Sequence, residues 1–128
     1  MTSHGLKTIK NAMAALNLEY GFVTYGKSPI SYPYFVGEYT EIESANEDGL
    51  QETSFMLTGF ARGSDGWTKL EQAKTAIAKY FTREGKAFPA DDGSISVIAY
   101  GYSIPVPKDD AELKSMQINL TVKEWSVN

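Results

Sequence analysis

The chain has 128 residues, a formal net charge of −4 and a hydrophobic fraction of 42%. This length fits one domain that buries a core without metals or disulfides, and the lack of cysteine excludes thiolate nucleophiles and thiolate metal sites. The negative charge and the scattered basic residues argue against a nucleic-acid binder, which would carry a basic stripe. The sequence shows no signal peptide and no apolar run of about 20 residues, so we expect a soluble intracellular product.

Apolar residues at helical spacing predict an amphipathic helix over 3–18, at the start of the chain. The glycines and prolines that follow predict an irregular loop over 21–33, in which 22–25 could form a short strand. Although an aromatic residue precedes Pro33, the trans peptide is expected there. Alternating apolar residues then predict two strands, over 34–44 and 51–62, joined by an acidic turn.

A second helix is predicted over 67–83, where apolar residues again recur with helical spacing. Either Asp65 or Thr68 can cap its start, and Thr68 and Glu71 have the spacing of a capping box. Two more strands are predicted over 94–104 and 115–127. Each neighbouring pair of strands is expected to be antiparallel.

Residues of the last two strands are assigned to faces by their alternation. On the first of them, one face is predicted to carry Ile98, Tyr100, Tyr102 and Ile104. On the second, the apolar alternation from Met116 to Val122 slips to Trp125, which predicts a bulge or a bend. The chain is therefore expected to be one α+β domain over 1–128. It should have a mostly antiparallel sheet of four strands or slightly more, with an N-terminal and a central amphipathic helix on one face.

The sequence contains no recognisable arrangement of catalytic residues. His4 is the single histidine and stands near the start of the chain, where it makes an incomplete metal site and a poor general base. The acidic pairs at 91–92 and 109–110 lie in polar turns, which would not push two carboxyl pKa values apart. The glycines of 59–66 lack the lysine of a phosphate-binding loop, and the acidic hairpin 38–52 matches no calcium loop. We predict no enzyme activity, no cofactor and no metal.

The order of these segments resembles a known family. The stretches "YPYFVGEYTE", "GFARG", "WTKLEQAKTAIAKYF" and "MQINLTVKEWSV" are similar to the tail-terminator or tail-completion proteins of long-tailed bacteriophages. The segment Pro33–Glu38 matches the proline-aromatic entry to the first long strand of that family. The segment Phe60–Gly63 matches the end of its second strand. The resemblance extends over roughly 6–127.

The resemblance implies a structural role in the virion, at the head-proximal end of the tail, after assembly in the bacterial cytoplasm. Such a protein forms a homo-oligomer, usually a hexameric ring, that caps the tail tube and ends its polymerisation. Its partners are the tail tube protein and the head-completion protein. DNA passes through the ring without sequence-specific binding, and no membrane is involved. The alternatives are another head–tail connector, neck or tail-tube protein, or a small non-enzymatic interaction module.

Aromatic residues around the proline-rich loop are the first candidate contact with another subunit or with the tube. Tyr25, Tyr32, Tyr34 and Phe35 lie in or beside a Pro/Gly segment, where burial within one domain is hard to arrange. The alternative is that these side chains cover the hydrophobic core. Arg62, in the second segment that matches the family, is included with this group.

The acidic hairpin is the second candidate contact. Glu41 and Glu43 stand in it with no basic neighbour. A patch of this kind selects a basic partner by complementary potential and discourages aggregation at a strand edge.

Overall fold

A computed structural model of the chain describes residues 1–42 and 49–125. It contains one small α+β domain with two helices and a curled sheet of six strands. The helices are α1 (Ser3–Ala15) and α2 (Gly66–Phe81). The strands are β1 (Glu19–Phe22), β2 (Tyr34–Ile42), β3 (Leu50–Arg62), β4 (Lys86–Pro89), β5 (Ile95–Val106) and β6 (Leu113–Trp125).

The sheet has the strand order β1-β2-β3-β6-β5-β4. Its centre is the long antiparallel pair β3–β6, in which Leu50 faces Trp125 and Arg62 faces Leu113. The predicted antiparallel pairs β2–β3 and β5–β6 are confirmed. Strands β2, β3, β6 and β5 therefore alternate in direction, while β1 runs parallel to β2.

The prediction of four strands or slightly more did not place the two outer strands, β1 and β4, which are four residues long each. Strand β1 overlaps the predicted loop at 21–33, and β4 lies in the stretch between the second helix and the next strand. Neither is long enough to show an alternation of its own, since Gly21 interrupts the first and Pro89 ends the second. They are strands because a neighbour pairs with them.

Local signals shorten both helices. Helix α1 ends at Ala15, because Asn17 takes a left-handed conformation with φ 58° and turns the chain toward β1. Helix α2 begins at Gly66, with Asp65 at the N-cap position and no side-chain cap. The predicted capping box is therefore wrong, since Thr68 already lies inside the helix.

The loop before β2 contains two cis peptides, Ser28-Pro29 and Tyr32-Pro33. The trans expectation for Pro33 is wrong. The X-Pro bond has only a small intrinsic preference for trans, so the surrounding loop decides between the two forms.

Both helices cover one face of the sheet, which we call the inner face. Its core joins Ile9 and Met13 of α1, Leu70 and Ile77 of α2, and a group of strand residues. These strand residues include Phe35, Phe55, Leu57, Ile118 and Leu120, all fully buried. The rings of Phe35 and Phe55 occupy space left by two strand glycines, Gly59 and Gly37.

Two assignments of strand faces need correction. The bulge lies at Gly101, between Tyr100 and Tyr102, so Tyr102 and Ile104 leave the inner face on which Tyr100 is buried. On β6 the alternation does not slip at Trp125. Glu124 continues it into the interior, where this carboxylate is 2% exposed.

Glu124 is buried because donors from two distant segments meet it. The backbone N–H of Thr2 donates to it at 3.0 Å, and the hydroxyl of Thr2 also donates to it. The hydroxyl of Ser96 donates at 2.8 Å. Thr2 is at the same time the N-cap of α1, where its hydroxyl accepts from the backbone N–H of Gly5. This cluster joins the start of α1 to β5 and β6.

Candidate interaction surface

Four aromatic rings stack on the outer face of the sheet, opposite the helices. Tyr34 of β2 lies beside Phe60 of β3, with ring centroids 5.1 Å apart. Tyr25 stacks on Tyr34 at 4.5 Å with an interplanar angle of 9°. Tyr32 leans against Tyr34 at 5.5 Å. We call Tyr25, Tyr32, Tyr34 and Phe60 the aromatic surface.

The loop after β1 brings Tyr25 over the sheet. Val23 has a positive φ of 67°, and the N–H of Thr24 donates to the carbonyl of Phe22 in a tight turn. The returning chain packs so closely that a Cβ at Gly21 would lie 2.0 Å from the Thr24 oxygen. Only glycine fits there, and the turn sends the Tyr25 ring back onto Tyr34.

Two cations border the aromatic surface. The guanidinium of Arg62 lies over the Tyr32 ring at 5.8 Å and donates to Asp110 at 3.1 Å. The ammonium of Lys108 lies over the Phe60 ring at 5.2 Å. Cation–ring contacts of this kind add modest attraction while both groups remain open to solvent.

The electrostatics of this border follow from its hydrogen bonds and its burial. A backbone N–H donated by Glu112, and next the Arg62 side chain, hold the pKa of Asp110 below its usual value. Partial burial raises the pKa of Tyr34, so this ring presents a neutral phenol. The surface is therefore a neutral aromatic stack with two basic side chains and the Asp110 carboxylate at its rim. Its composition suits contact with another protein, because aromatic rings and arginine are enriched in such contacts.

A second aromatic cluster joins Tyr80 of α2 to Phe88 of β4, with the Lys86 ammonium over the Tyr80 ring at 4.2 Å. No group of three His, Asp or Glu residues in 1–42 and 49–125 could hold a metal ion. One groove of about 270 Å³, lined by Leu18, Pro33 and Ala73 among others, is mostly apolar. A second, of about 230 Å³, contains His4 and Asp91, and the His4 ring meets the carbonyl of Phe88 at 3.0 Å.

Four of the predicted contact residues come together at the aromatic surface: Tyr25, Tyr32, Tyr34 and Arg62. The alternative that the three tyrosines cover the core does not hold, since they lie on the face opposite to it. Phe35 is fully buried on the inner face, so its expected role as a contact residue is wrong. The adjacent side chains of a strand point to opposite faces, and Phe35 alternates with Tyr34.

The acidic candidates lie apart from the aromatic surface. Glu41 stands near the other end of β2, where its carboxylate contacts the amino group of Met1. Glu43 lies outside the described residues.

Sequence reasoning missed Phe60, Lys108 and Asp110. The alternation along β3 offered a signal for Phe60, because an apolar residue on the mostly polar side of a strand indicates a covered position. Lys108 and Asp110 belong to the connection between β5 and β6, and only the strand order carries that connection to the end of β3.

No protein-family model matches the chain, and no curated protein matches it significantly. Within the part of the chain that the structure describes, neither helix has the length and apolar character needed to span a membrane.

Proposed function

We propose that this chain is a structural subunit of a long-tailed phage, which caps the tail tube and ends its polymerisation. In this role it also presents the surface to which the head-completion protein binds. The observation that carries the proposal is the aromatic surface: stacked tyrosines, partly open to solvent, on the face of the sheet that the helices leave uncovered. The sequence resemblance to tail-terminator proteins supports the same role.

The proposed assembly is a ring, with six copies as the expected number. In a ring each subunit uses two different faces, one toward each neighbour. A third contact area then remains for the tube protein and the head-completion protein. The aromatic surface lies at one end of the sheet, beside the starts of β1 and β2, and suits such an axial contact. Because the chain is acidic, we expect it not to bind the DNA that passes through the ring.

The test is a complementation experiment in the phage that carries the gene. With the gene inactivated, tails should grow to irregular lengths and remain unattached to heads. Wild-type protein should restore normal tails, and Tyr32→Ser should restore them poorly while the purified variant keeps its thermal stability.

A matched control removes an exposed aromatic ring elsewhere. Trp67 is 36% exposed and lies at the start of α2, on the helix side of the sheet. Trp67→Ser should therefore restore tails as long as the variant remains folded. Full restoration by Tyr32→Ser would contradict the role of the aromatic surface. Normal tails without the gene would contradict the proposed function.

A further inference from the structure

Half of β5 is an open strand edge. Strand β4 pairs only with Ile95–Ile98, and the carbonyl of Thr82 accepts the N–H of Tyr100 at 2.8 Å. From Gly101 to Val106, the side of β5 that faces away from β6 has no main-chain partner among the described residues. Its unpaired N–H and C=O groups are a template for another strand.

This edge lacks the charged residues that commonly protect a strand edge from pairing: no charged residue occurs between 94 and 107. Tyr102 and Ile104 are 58% and 44% exposed on it. Only the bulge at Gly101 and Pro105, which has no N–H, interrupt it in the described residues. An uncharged apolar edge of this kind is an aggregation hazard unless a partner covers it.

The opposite edge of the sheet, formed by β1, is open at the same level along the strands. Strand β1 is the outermost strand there. Apart from the Phe22 carbonyl, which accepts the N–H of Thr24, its outer side has no main-chain partner in the described part of the chain. Residues that pair across the sheet lie at the same level along the strands. Val106 pairs with Ser115, Ser115 with Phe60, Phe60 with Tyr34, and Tyr34 with Glu19. The same count connects Ser103 to Phe22. The four residues Ser103–Val106 thus lie level with the four residues of β1.

We propose that the open edge of β5 pairs with β1 of a second copy of this chain, and that this contact is the joint between ring subunits. The proposal rests on the proposed ring. Strand β5 runs opposite to β2, and β1 runs with β2, so a neighbour in the same orientation would meet β5 in the antiparallel sense. Repetition of one rotation then closes the ring.

The two short outer strands, β1 and β4, each cover only part of an edge of the sheet, so the two edges are complementary in shape. Strand β1 occupies the edge beside the start of β2 and leaves residues 38–42 of β2 open. Strand β4 occupies only the other end of the β5 edge. In the proposed joint, β1 of one copy fills the gap beside β5, and β4 of its neighbour fills the gap beside β2.

Charge is also complementary across this joint. The register connects Lys86 through Ile98, Val122 and Thr53 to Glu41, so Lys86 of one copy would lie level with Glu41 of the next. Both side chains belong to the inner side of the sheet, and both are exposed. Within one copy the Lys86 ammonium lies over the Tyr80 ring at 4.2 Å and Glu41 contacts the Met1 amino group, so the pair would form in exchange for these contacts. An opposite pair at this position fixes the register of the contact and its partner.

The joint can be tested by disulfide trapping, because the chain contains no cysteine. In the proposed joint Ser103 faces Phe22 of the neighbour. Adjacent strands lie about 4.8 Å apart, within the Cα separation of roughly 4.4–6.8 Å that disulfides accept. The variant Ser103→Cys with Phe22→Cys should form a ladder of covalent oligomers under oxidation, and reduction should return it to the single chain. Each single variant should remain uncrosslinked.

A charge exchange provides a second measurement that leaves the strand edges intact. Lys86→Glu should weaken the ring most at low salt, and adding Glu41→Lys should restore it. A ring that forms without the Ser103–Phe22 crosslink would overturn the joint while leaving the proposed function standing. Dimers of Ser103→Cys without the second cysteine would overturn it in favour of a two-fold contact between β5 edges. Absence of any oligomer, together with normal tails when the gene is inactivated, would overturn the proposed function as well.

Discussion

The clearest stability prediction concerns Gly59, which lies in the middle of β3 directly opposite Phe35. In a strand interior, Gly→Ala normally stabilises a protein by about 0.5–1 kcal/mol, because glycine loses more conformational freedom on folding. Here a Cβ would lie 2.4 Å from Cε1 of Phe35 and 3.0 Å from a methyl carbon of Leu70. Both side chains are fully buried, so neither can move without disturbing the core.

The steric cost of the added Cβ exceeds the entropic gain from replacing glycine. Overpacking a close-packed core costs about 1–3 kcal/mol. With the entropic gain subtracted, Gly59→Ala should lower the free energy of unfolding by about 1–2 kcal/mol. For a chain of this size that corresponds to a decrease in Tm of roughly 3–10 °C.

Thermal and urea unfolding followed by circular dichroism would measure this loss. The matched control is Gly26→Ala, since a Cβ at Gly26 meets no atom within 4 Å. That variant should be as stable as the wild type, within about 0.5 kcal/mol. Because Leu is smaller than Phe, the double variant Gly59→Ala with Phe35→Leu should be more stable than the sum of the two single effects predicts. A Gly59→Ala variant as stable as the wild type would refute the close packing of Phe35 on this glycine.

Three further predictions concern buried and exposed polar groups. Glu124→Ala should lower the free energy of unfolding by about 3 kcal/mol, because it leaves buried donors on Thr2 and Ser96 without their acceptor. Glu124→Gln, which keeps the shape and one acceptor, should lose roughly half as much; an unchanged urea midpoint in both would contradict the cluster. Burial raises the pKa of Tyr20 to about 12, so the folded state holds this proton more tightly than the unfolded chain. Stability should therefore be complete below about pH 10 and fall as the pH rises toward 12, and Tyr20→Phe should reduce that fall in an unfolding series at increasing pH. Arg62→Ala breaks an exposed pair and should leave Tm unchanged, with any effect appearing in assembly, so a lowered Tm would contradict a purely external role.

Long alternating segments were predictable from the sequence, whereas short ones were not. Strands β3 and β6 are 13 residues each, and their apolar residues repeat often enough to define a face. Strands β1 and β4 have four residues and no repeat of their own. Their place in the sheet depends on partners elsewhere in the chain, so no local pattern predicts them.

Glu124 and Gly101 show why a local pattern can mislead. A glutamate at an inward position looks like a break in the alternation, so a bulge was predicted beside it. The carboxylate stays in the interior because Thr2, 122 residues away, and Ser96, 28 residues away, supply its donors. The actual bulge is at Gly101, where a Cβ would lie 3.0 Å from the carbonyl oxygen of Asn119.

The aromatic surface was predictable in part. Tyr25, Tyr32 and Tyr34 are close in sequence, and the proline-rich loop between them suggested that they meet. Phe60 and Lys108 join them through the register of β2 with β3 and through the β5–β6 connection. Such long-range neighbours depend on strand order, which composition and spacing do not determine.

The most direct test of an assembly role is sedimentation velocity of the wild-type protein over a wide range of concentrations, with electron microscopy of the same samples. We expect one discrete oligomer that images as a closed ring and grows no further as the concentration rises. A protein that sediments as a single chain at every concentration, or that forms open filaments of unlimited length, would contradict it.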